Sequence, residues 1–197
     1  MSKIDALVAR YCPHGVPYTP LGEVCDLKRG ETISKKAITS GEVPVISGGQ
    51  KPSYYHNKSN RLPPIITIAG SGVYSGFVNF WTIPIFVNDS FSIQPTTDIL
   101  NIRYLYHWLT NNQNTLYQLQ RGVAIPHVYP NDVAQLKIPL PPLEVQRKIV
   151  EILDQFHTLT TSLTEGIPAE IEARRKQYTY YRNKLLTFKE QVPNLTK

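Results

Sequence analysis

The segment SGGQKPSYYHNKSNR, residues 47–61, is the richest in recognition chemistry. The amides of Gln50 and Asn57 present a donor and an acceptor side by side, which matches the edge of adenine. Lys51, Lys58 and Arg61 can reach guanine or a phosphate. Tyr54 and Tyr55 can stack, pack on sugars or hydrogen-bond to phosphate, and His56 adds a ring nitrogen to the run. Gly48, Gly49 and Pro52 suit an exposed loop or hairpin. The same residues also describe a polar surface loop whose tyrosines pack on a core. A second segment, QLQRGVAIPHVY, sets Gln118, Gln120, Arg121 and His127 around Gly122. Its alternative is a helix-ending turn capped by Gly122. Lys28, Arg29, Lys35 and Lys36 are candidates for phosphate contacts.

Charge leans the same way. The chain has 197 residues and a formal net charge of +6. The cations from Lys28 to Arg61 have only Glu31 and Glu42 among them, and no Lys or Arg occurs between Leu62 and Ile102. A local excess of positive charge favours a polyanionic partner. Charge alone leaves an ordinary solvated surface equally open.

Catalytic signatures are missing from the sequence. It has no GxxxxGK[ST] phosphate loop and no GxSxG elbow. GSGVYSG, residues 70–76, lies between strand-like runs instead of opening a helix, so a hairpin turn is expected rather than a cofactor loop. The histidines at 14, 56, 107, 127 and 157 form no HxxxH or HExxH pair, and no metal site is expected. NDVAQLK, residues 131–137, lacks the second carboxylate of a metal-dependent nuclease. Cys12 and Cys25 form no CxxC pair and suit a reducing compartment. The first residues, MSKIDALVARYCPHG, lack a signal peptide's apolar stretch, and no run is long enough to span a bilayer. A cytoplasmic, non-catalytic chain is expected.

These groups need a scaffold, and the pattern predicts a mixed α+β one over residues 1–142. Ile4, Leu7, Val8 and Tyr11 share a face of a first helix that Ser2 can cap. VPVIS (43–47), PIITIA (64–69), GFVNFW (76–81) and DSFSIQP (89–95) read as strands. Ile99, Ile102, Tyr106 and Leu109 predict a helix over 99–113, which NTLYQLQ extends, and one more strand is allowed in 121–142.

At PLPPLEVQRKIVEILDQF, beginning at Pro139, the chain turns helical. Ile149, Ile152, Phe156, Leu159 and Leu163 alternate steps of three and four, the coiled-coil spacing. Gly166 and Pro168 interrupt the pattern. Ile171, Arg174, Tyr178, Tyr181 and Leu185 then repeat it. Read as one arm, the two helical pieces within residues 143–190 would span ~65 Å at ~1.5 Å per residue, with residues 191–197 as a tail. So long a seam wants a second helix from another chain. The alternative is an ordinary hairpin folded back on the domain.

Taken in order, LGEVCDLKRGETISKK, ISGG, IAGSGVYSGFVNF, NDSFSI, LKIPLPPLEVQRKIVEILDQF and GIPAEIEARRKQYTYYRNKLL resemble the DNA-specificity subunit of Type I restriction–modification enzymes. The likeness covers nearly the whole chain. It implies a target-recognition domain at 1–142 and a helical spacer and dimerisation region at 143–190, with Pro139–Pro142 as the hinge between them. Subunits of that family normally carry two recognition domains and two helices. Each domain reads half of a split DNA site. The helices pack antiparallel and dock methyltransferase subunits that use S-adenosylmethionine, and nuclease–translocase subunits dependent on ATP and Mg²⁺ join them. This sequence holds one recognition domain and one helical region, so the resemblance implies a homodimer reading an interrupted palindrome through Ile149, Ile152, Phe156, Leu159, Leu163, Ile171, Tyr178, Tyr181 and Leu185. A competing reading is an interaction protein that works through its helix alone and reads no DNA.

Overall fold

The structure, a computed structural model, describes residues 3–162 and 168–191. In chain order the elements are α1 (Lys3–Tyr11), β1 (Tyr18–Pro20), α2 (Leu21–Val24), β2 (Cys25–Arg29), β3 (Val43–Ile46), β4 (Tyr54–His56), β5 (Ile65–Ala69), β6 (Val78–Trp81), β7 (Phe86–Val87), β8 (Ser90–Pro95), α3 (Ile102–Asn111), α4 (Gln113–Gln118), α5 (Pro130–Ala134), β9 (Lys137–Pro139), α6 (Leu143–Ser162) and α7 (Pro168–Leu186). The fold is mixed α+β. Its packing falls into two compact units, drawn along different lines from a boundary at residue 142. A β unit holds residues 20–98 and 112–137. A helical unit holds the described residues of 1–19, 99–111 and 138–197.

In the β unit one sheet runs β2-β8-β5-β6 and another runs β4-β3-β7. The first is antiparallel, with Leu27 opposite Ile93 and Ile93 opposite Ile66. Strand β5, IITIA, is buried at every position. A continuous apolar run of this kind marks a strand covered on both faces. In the second sheet β3 runs antiparallel to β4 and parallel to β7. Ile46, Ile65, Ile85 and Val87 form one core cluster, with Trp81 packed against it. The indole N–H of Trp81 donates to Thr67 Oγ1 at 2.8 Å, so the ring is half-buried without an orphaned donor. Each run read as a strand contains one, and GSGVYSG makes the β5–β6 turn. NTLYQLQ does not extend α3. Most of it forms the separate helix α4.

In the helical unit α3 packs against both α6 and α7. That changes its buried face. Tyr104, Leu105, His107, Trp108 and Leu109 are buried, whereas Ile102 and Tyr106 are half-buried and Ile99 lies outside the helix, exposed. A helix with neighbours on more than one side buries more than a single stripe. On α1, Val8 and Tyr11 are half-buried. The Ser2 cap and the side chains of Ile4 and Leu7 lie outside the described residues.

The single long arm is not what forms. Phe156 on α6 lies with its ring centroid 5.2 Å from that of Tyr181 and 6.4 Å from that of Tyr178, both on α7. In one continuous helix, positions 156 and 181 would be roughly 37 Å apart. The helices instead lie side by side. Val145, Ile149 and Leu153 on α6, and Leu185 and Leu186 on α7, are buried within this chain. Of the described seam positions, Ile149 and Leu185 are buried and Ile152, Phe156, Tyr178 and Tyr181 are half-buried, so part of the seam is covered in cis, where burial carries no cost of bringing a second molecule. Leu163 and Gly166 lie outside the described residues, as do the side chains of Leu159 and Ile171. Helix α7 begins at Pro168, the first-turn position that suits proline.

Pro139–Pro142 is not a free hinge either. The Leu140 N–H donates to the Pro17 carbonyl at 2.9 Å. Tyr104 O–H donates to the Pro139 carbonyl at 3.0 Å. The buried amide of Gln146 donates to the carbonyls of Pro141 at 2.8 Å and Ile99 at 2.7 Å, and accepts from the Asn101 N–H at 2.8 Å. The prolines set the direction of the chain, and these bonds fasten the segment inside the helical unit.

Candidate nucleic-acid interface

Segments far apart in sequence meet at one cleft of the β unit, about 180 Å³ in volume and lined among others by Arg29, Thr32, Asp89, His127 and Tyr129. Main-chain and amide bonds assemble it. The N–H of Gly30 donates to the Ser90 carbonyl at 2.9 Å, and the N–H of Glu31 to the Val87 carbonyl at 2.9 Å. Asn88 accepts from the Ile33 N–H at 3.3 Å and donates to Ser47 Oγ at 3.1 Å. Ser90 Oγ donates to the Ser47 carbonyl at 2.6 Å. The N–H of Val128 donates to the Gly70 carbonyl at 3.0 Å. At Gly48 a Cβ would stand 2.2 Å from the Ser71 carbonyl oxygen, so only glycine lets these two loops approach. SGG, GSG, NDS and HVY are thus parts of one construction.

The cleft is electrostatically mixed. The Arg29 guanidinium lies 5.6 Å from the centroid of the Tyr129 ring. His127 stacks on the same ring at 6.1 Å and 22°. Ser71 Oγ donates to the Asp89 carboxylate. Arg121, exposed, pairs with Asp132 Oδ1 at 2.6 Å. Main-chain bonds of 2.8 Å in each direction join Arg121 to His127 and close the hairpin that carries both. A cation, an imidazole, a carboxylate and an aromatic face together can read hydrogen-bond patterns. A pure phosphate site would not place Asp89 beside Arg29.

Most of the expected recognition residues face solvent. Lys28, Arg29, Lys36, Gln50, Lys51, Tyr55, Asn57, Lys58 and Arg121 are exposed, and Tyr54 and His127 are half-buried. Gln50 and Lys51 lie in the turn between β3 and β4, the hairpin that the glycines and proline suggest. Asn57 and Lys58 follow β4. The side chain of Lys35 lies outside the described residues.

His56 and Arg61 are structural, not free for DNA. His56 is buried edge-on against Phe86 at 5.6 Å, and its Nδ1 lies 3.2 Å from the Thr39 nitrogen and 3.1 Å from the Thr39 oxygen. Arg61 is 7% exposed. It donates to Ser92 Oγ at 2.8 Å, to the Asn60 carbonyl at 2.8 Å and to the Arg29 carbonyl at 2.7 Å. A side chain so buried and engaged fastens strands and is poorly placed to reach a base.

Sequence reasoning does not find Thr32, Asp89 and Tyr129 as lining residues. NDS and HVY are visible in the sequence as short motifs, but only the fold places them together. Among the described residues no group of three or more His, Cys, Asp or Glu side chains is arranged to hold a metal ion. Cys12 and Cys25 are buried, and burial pushes the Cys25 thiol up to about 12, keeping it protonated. No helix among the described residues is long and apolar enough to cross a membrane.

Comparison with known proteins accords with this architecture. The family described as the Type I restriction modification DNA specificity domain matches residues 13–173, and the chain belongs to that family. It is 33% identical over 185 residues to a putative type I restriction enzyme specificity subunit of Haemophilus influenzae, covering 85% of this chain and 47% of that one. It is 39% identical over 102 residues to the EcoR124I/EcoR124II specificity subunit of Escherichia coli, covering 51% of this chain and 25% of that one. The crystal structure of a type I restriction–modification S subunit from M. genitalium superposes with a TM-score of 0.67 at 24% identity, covering 82% of this chain and 43% of that one. An HsdS subunit from Thermoanaerobacter tengcongensis gives 0.61 at 21% identity, covering 93% and 49%. These likenesses show the fold. The chain spans about half the length of these H. influenzae and structural relatives. These relatives are named as specificity subunits.

Proposed function

We propose that this chain reads one half of a bipartite DNA site. The observation that carries the proposal is the β unit's exposed set of amide and cationic side chains, Gln50, Lys51, Asn57 and Lys58 on the β3–β4 hairpin and beyond it, together with the cleft that bears Arg29 and His127. Amides and guanidinium groups discriminate base edges, and lysines hold the backbone. The helical unit supplies the second half of the proposal. It docks a methyltransferase subunit and pairs with a second copy of the chain. The half-buried Ile152 and the exposed Tyr180 offer apolar surface for that purpose. S-adenosylmethionine belongs to the methyltransferase, and ATP and Mg²⁺ to the translocase. A twofold pair of identical readers implies a twofold site, an interrupted palindrome.

The test is co-expression with the methyltransferase subunit from the same operon, followed by sequencing of host DNA for modified bases. Methylation at one interrupted palindrome is the expected result. A stable complex that methylates nothing would overturn the reading function and leave an interaction protein acting through its helices.

A further inference from the structure

Two exposed apolar turns of the β unit stand beside the cleft that holds Arg29 and His127. In the turn of residues 70–76, Val73 is 82% exposed and Tyr74 is 45% exposed. In the hairpin of residues 121–127, Val123 is fully exposed and Ile125 is 58% exposed. These are one protrusion, not two. Ser71 and His127 form an antiparallel bridge, and the Gly72 N–H donates to the Pro126 carbonyl at 3.0 Å. The hairpin is held by Gly122 at a φ of +99°, a conformation that side chains rarely adopt. The turns therefore present valine and isoleucine outward as a cluster on a hydrogen-bonded frame, not as scattered single residues.

Charge and shape together select the occupant. Arg121 and His127 form the base of the hairpin, and Arg29 lies against Tyr129 two residues further on. Asp132 is paired with Arg121, and Asp89 accepts from Ser71 in the cleft that also holds Arg29, so the base offers guanidinium donors within a mixed field. An apolar tip beside guanidinium and imidazole donors suits a duplex, whose phosphates flank grooves with apolar groups at their floor. The hairpin of residues 121–127 is a two-stranded ribbon, with ~4.8 Å between backbones before side chains are added, and the turn of residues 70–76 lies along one side of it. Such a tip exceeds the minor groove, roughly 6 Å wide, and fits the major groove, roughly 12 Å wide. The apolar feature of the major groove is the thymine 5-methyl group.

We infer that Val73, Tyr74, Val123 and Ile125 form a major-groove tip that reads thymine methyl groups within the half-site. This rests on the DNA-reading function proposed above. It assigns part of the specificity to apolar contacts, in addition to the amides of the β3–β4 hairpin.

The experiment uses the full chain in complex with its methyltransferase subunit and a labelled duplex carrying the methylated site. Affinity is compared with a duplex in which deoxyuridine replaces each thymine of one half-site in turn. Base pairing is preserved and only the methyl is removed. At a contacted thymine, wild type should lose about fourfold in affinity, the effect of leaving one methyl-sized group unburied. The V123S/I125S variant should bind the thymine and deoxyuridine duplexes alike, with an unchanged melting temperature, since both residues are exposed. Wild-type indifference to the replacement, with cognate preference retained, would overturn the tip and spare the reading function. A half-site made only of G·C pairs would also overturn it. Loss of the methyltransferase from the V123S/I125S complex would reassign the tip to a protein contact and overturn it too. Equal wild-type binding to cognate and random duplexes would instead remove the reading function itself.

Discussion

Arg61 Nε donates to Ser92 Oγ at 2.8 Å in the interior of the β unit, although Arg61 sits at the end of the segment richest in recognition chemistry. Its two terminal nitrogens also donate, to the carbonyls of Asn60 at 2.8 Å and Arg29 at 2.7 Å. Since Arg29 ends β2 and Ser92 lies in β8, the guanidinium bonds across a strand pair that the main chain also joins. It fixes the strand that presents Lys28 and Arg29 to solvent.

Arg61→Ala should therefore act on stability. It strands buried carbonyls and a hydroxyl, and a loss of roughly 3 kcal/mol is expected. Arg61→Lys should recover little, because an ammonium cannot span the same fork of acceptors. Urea unfolding followed by circular dichroism measures both. If Arg61→Ala keeps its midpoint but loses DNA affinity, Arg61 is a contact residue after all.

Lysines and amides should separate by their response to sequence. Replacing Lys35 and Lys36 by Ala should weaken binding to cognate and random DNA alike and lower the salt slope by about 1 for each phosphate no longer neutralised. Replacing Gln50 or Asn57, both exposed, should cost ~1–3 kcal/mol on the cognate site and little on random DNA. Fluorescence anisotropy at several salt concentrations reads both effects. Equal losses of Gln50→Ala on both DNAs would take it out of the reading set.

These assignments show what the residues themselves disclose. The central strands are legible because β5 is buried on both faces and its apolar run is unbroken. Strand β2, CDLKR, is not, because an edge strand whose outward residues are charged breaks the apolar signal. Residue types mark Gln50, Lys51, Asn57 and Lys58 as polar and outward, but the same types mislead at His56 and Arg61. Burial of a polar side chain depends on acceptors brought from other strands, and a single segment carries no trace of them. The helices are ambiguous in a similar way. A three–four apolar seam says that a helix needs a partner, and it does not say whether that partner lies in the same chain.

Acid should loosen the helical unit at a definite place. Asp154 on α6 accepts from Arg103 Nε at 2.9 Å and lies 2.8 Å from His107 Nε2, joining α6 to α3. Burial pushes its carboxyl up, but the hydrogen bonds and charges of Arg103 and His107 outweigh burial and hold it below the ordinary carboxylate value. A carboxylate depressed by folding contributes stability that is complete above its unfolded value, near ~3.9, and is lost as pH falls through the folded one. Asp154→Asn should lower stability at neutral pH by about 1 kcal/mol, because a neutral amide replaces charge-assisted bonds that water partly screens at a side chain 38% exposed. It should also flatten the decline of melting temperature below about pH 4. Thermal melts from pH 7 downward show whether the two curves converge in acid. Parallel curves would mean that another carboxylate governs the acid limb.

The stacking of Phe156 on Tyr181 at 5.2 Å yields the sharpest test of how the helices are used. A double-mutant cycle with Phe156→Ala and Tyr181→Ala should give a coupling of ~0.5–1.5 kcal/mol, the usual worth of an aromatic pair beyond its buried area. In a hairpin both rings belong to one molecule, so the coupling should not change with protein concentration. In an exchanged dimer, where α7 of one copy lies on α6 of the other, the same rings would meet between molecules. Unfolding midpoints would then rise with concentration and the coupling would vanish on dilution. Sedimentation at the same concentrations fixes the mass in each case. A coupling that persists in the monomer means that any second copy must add to the faces of α6 and α7 the hairpin leaves open, and Ile152 and Tyr180 are then the residues whose replacement by Glu should abolish pairing without melting the fold.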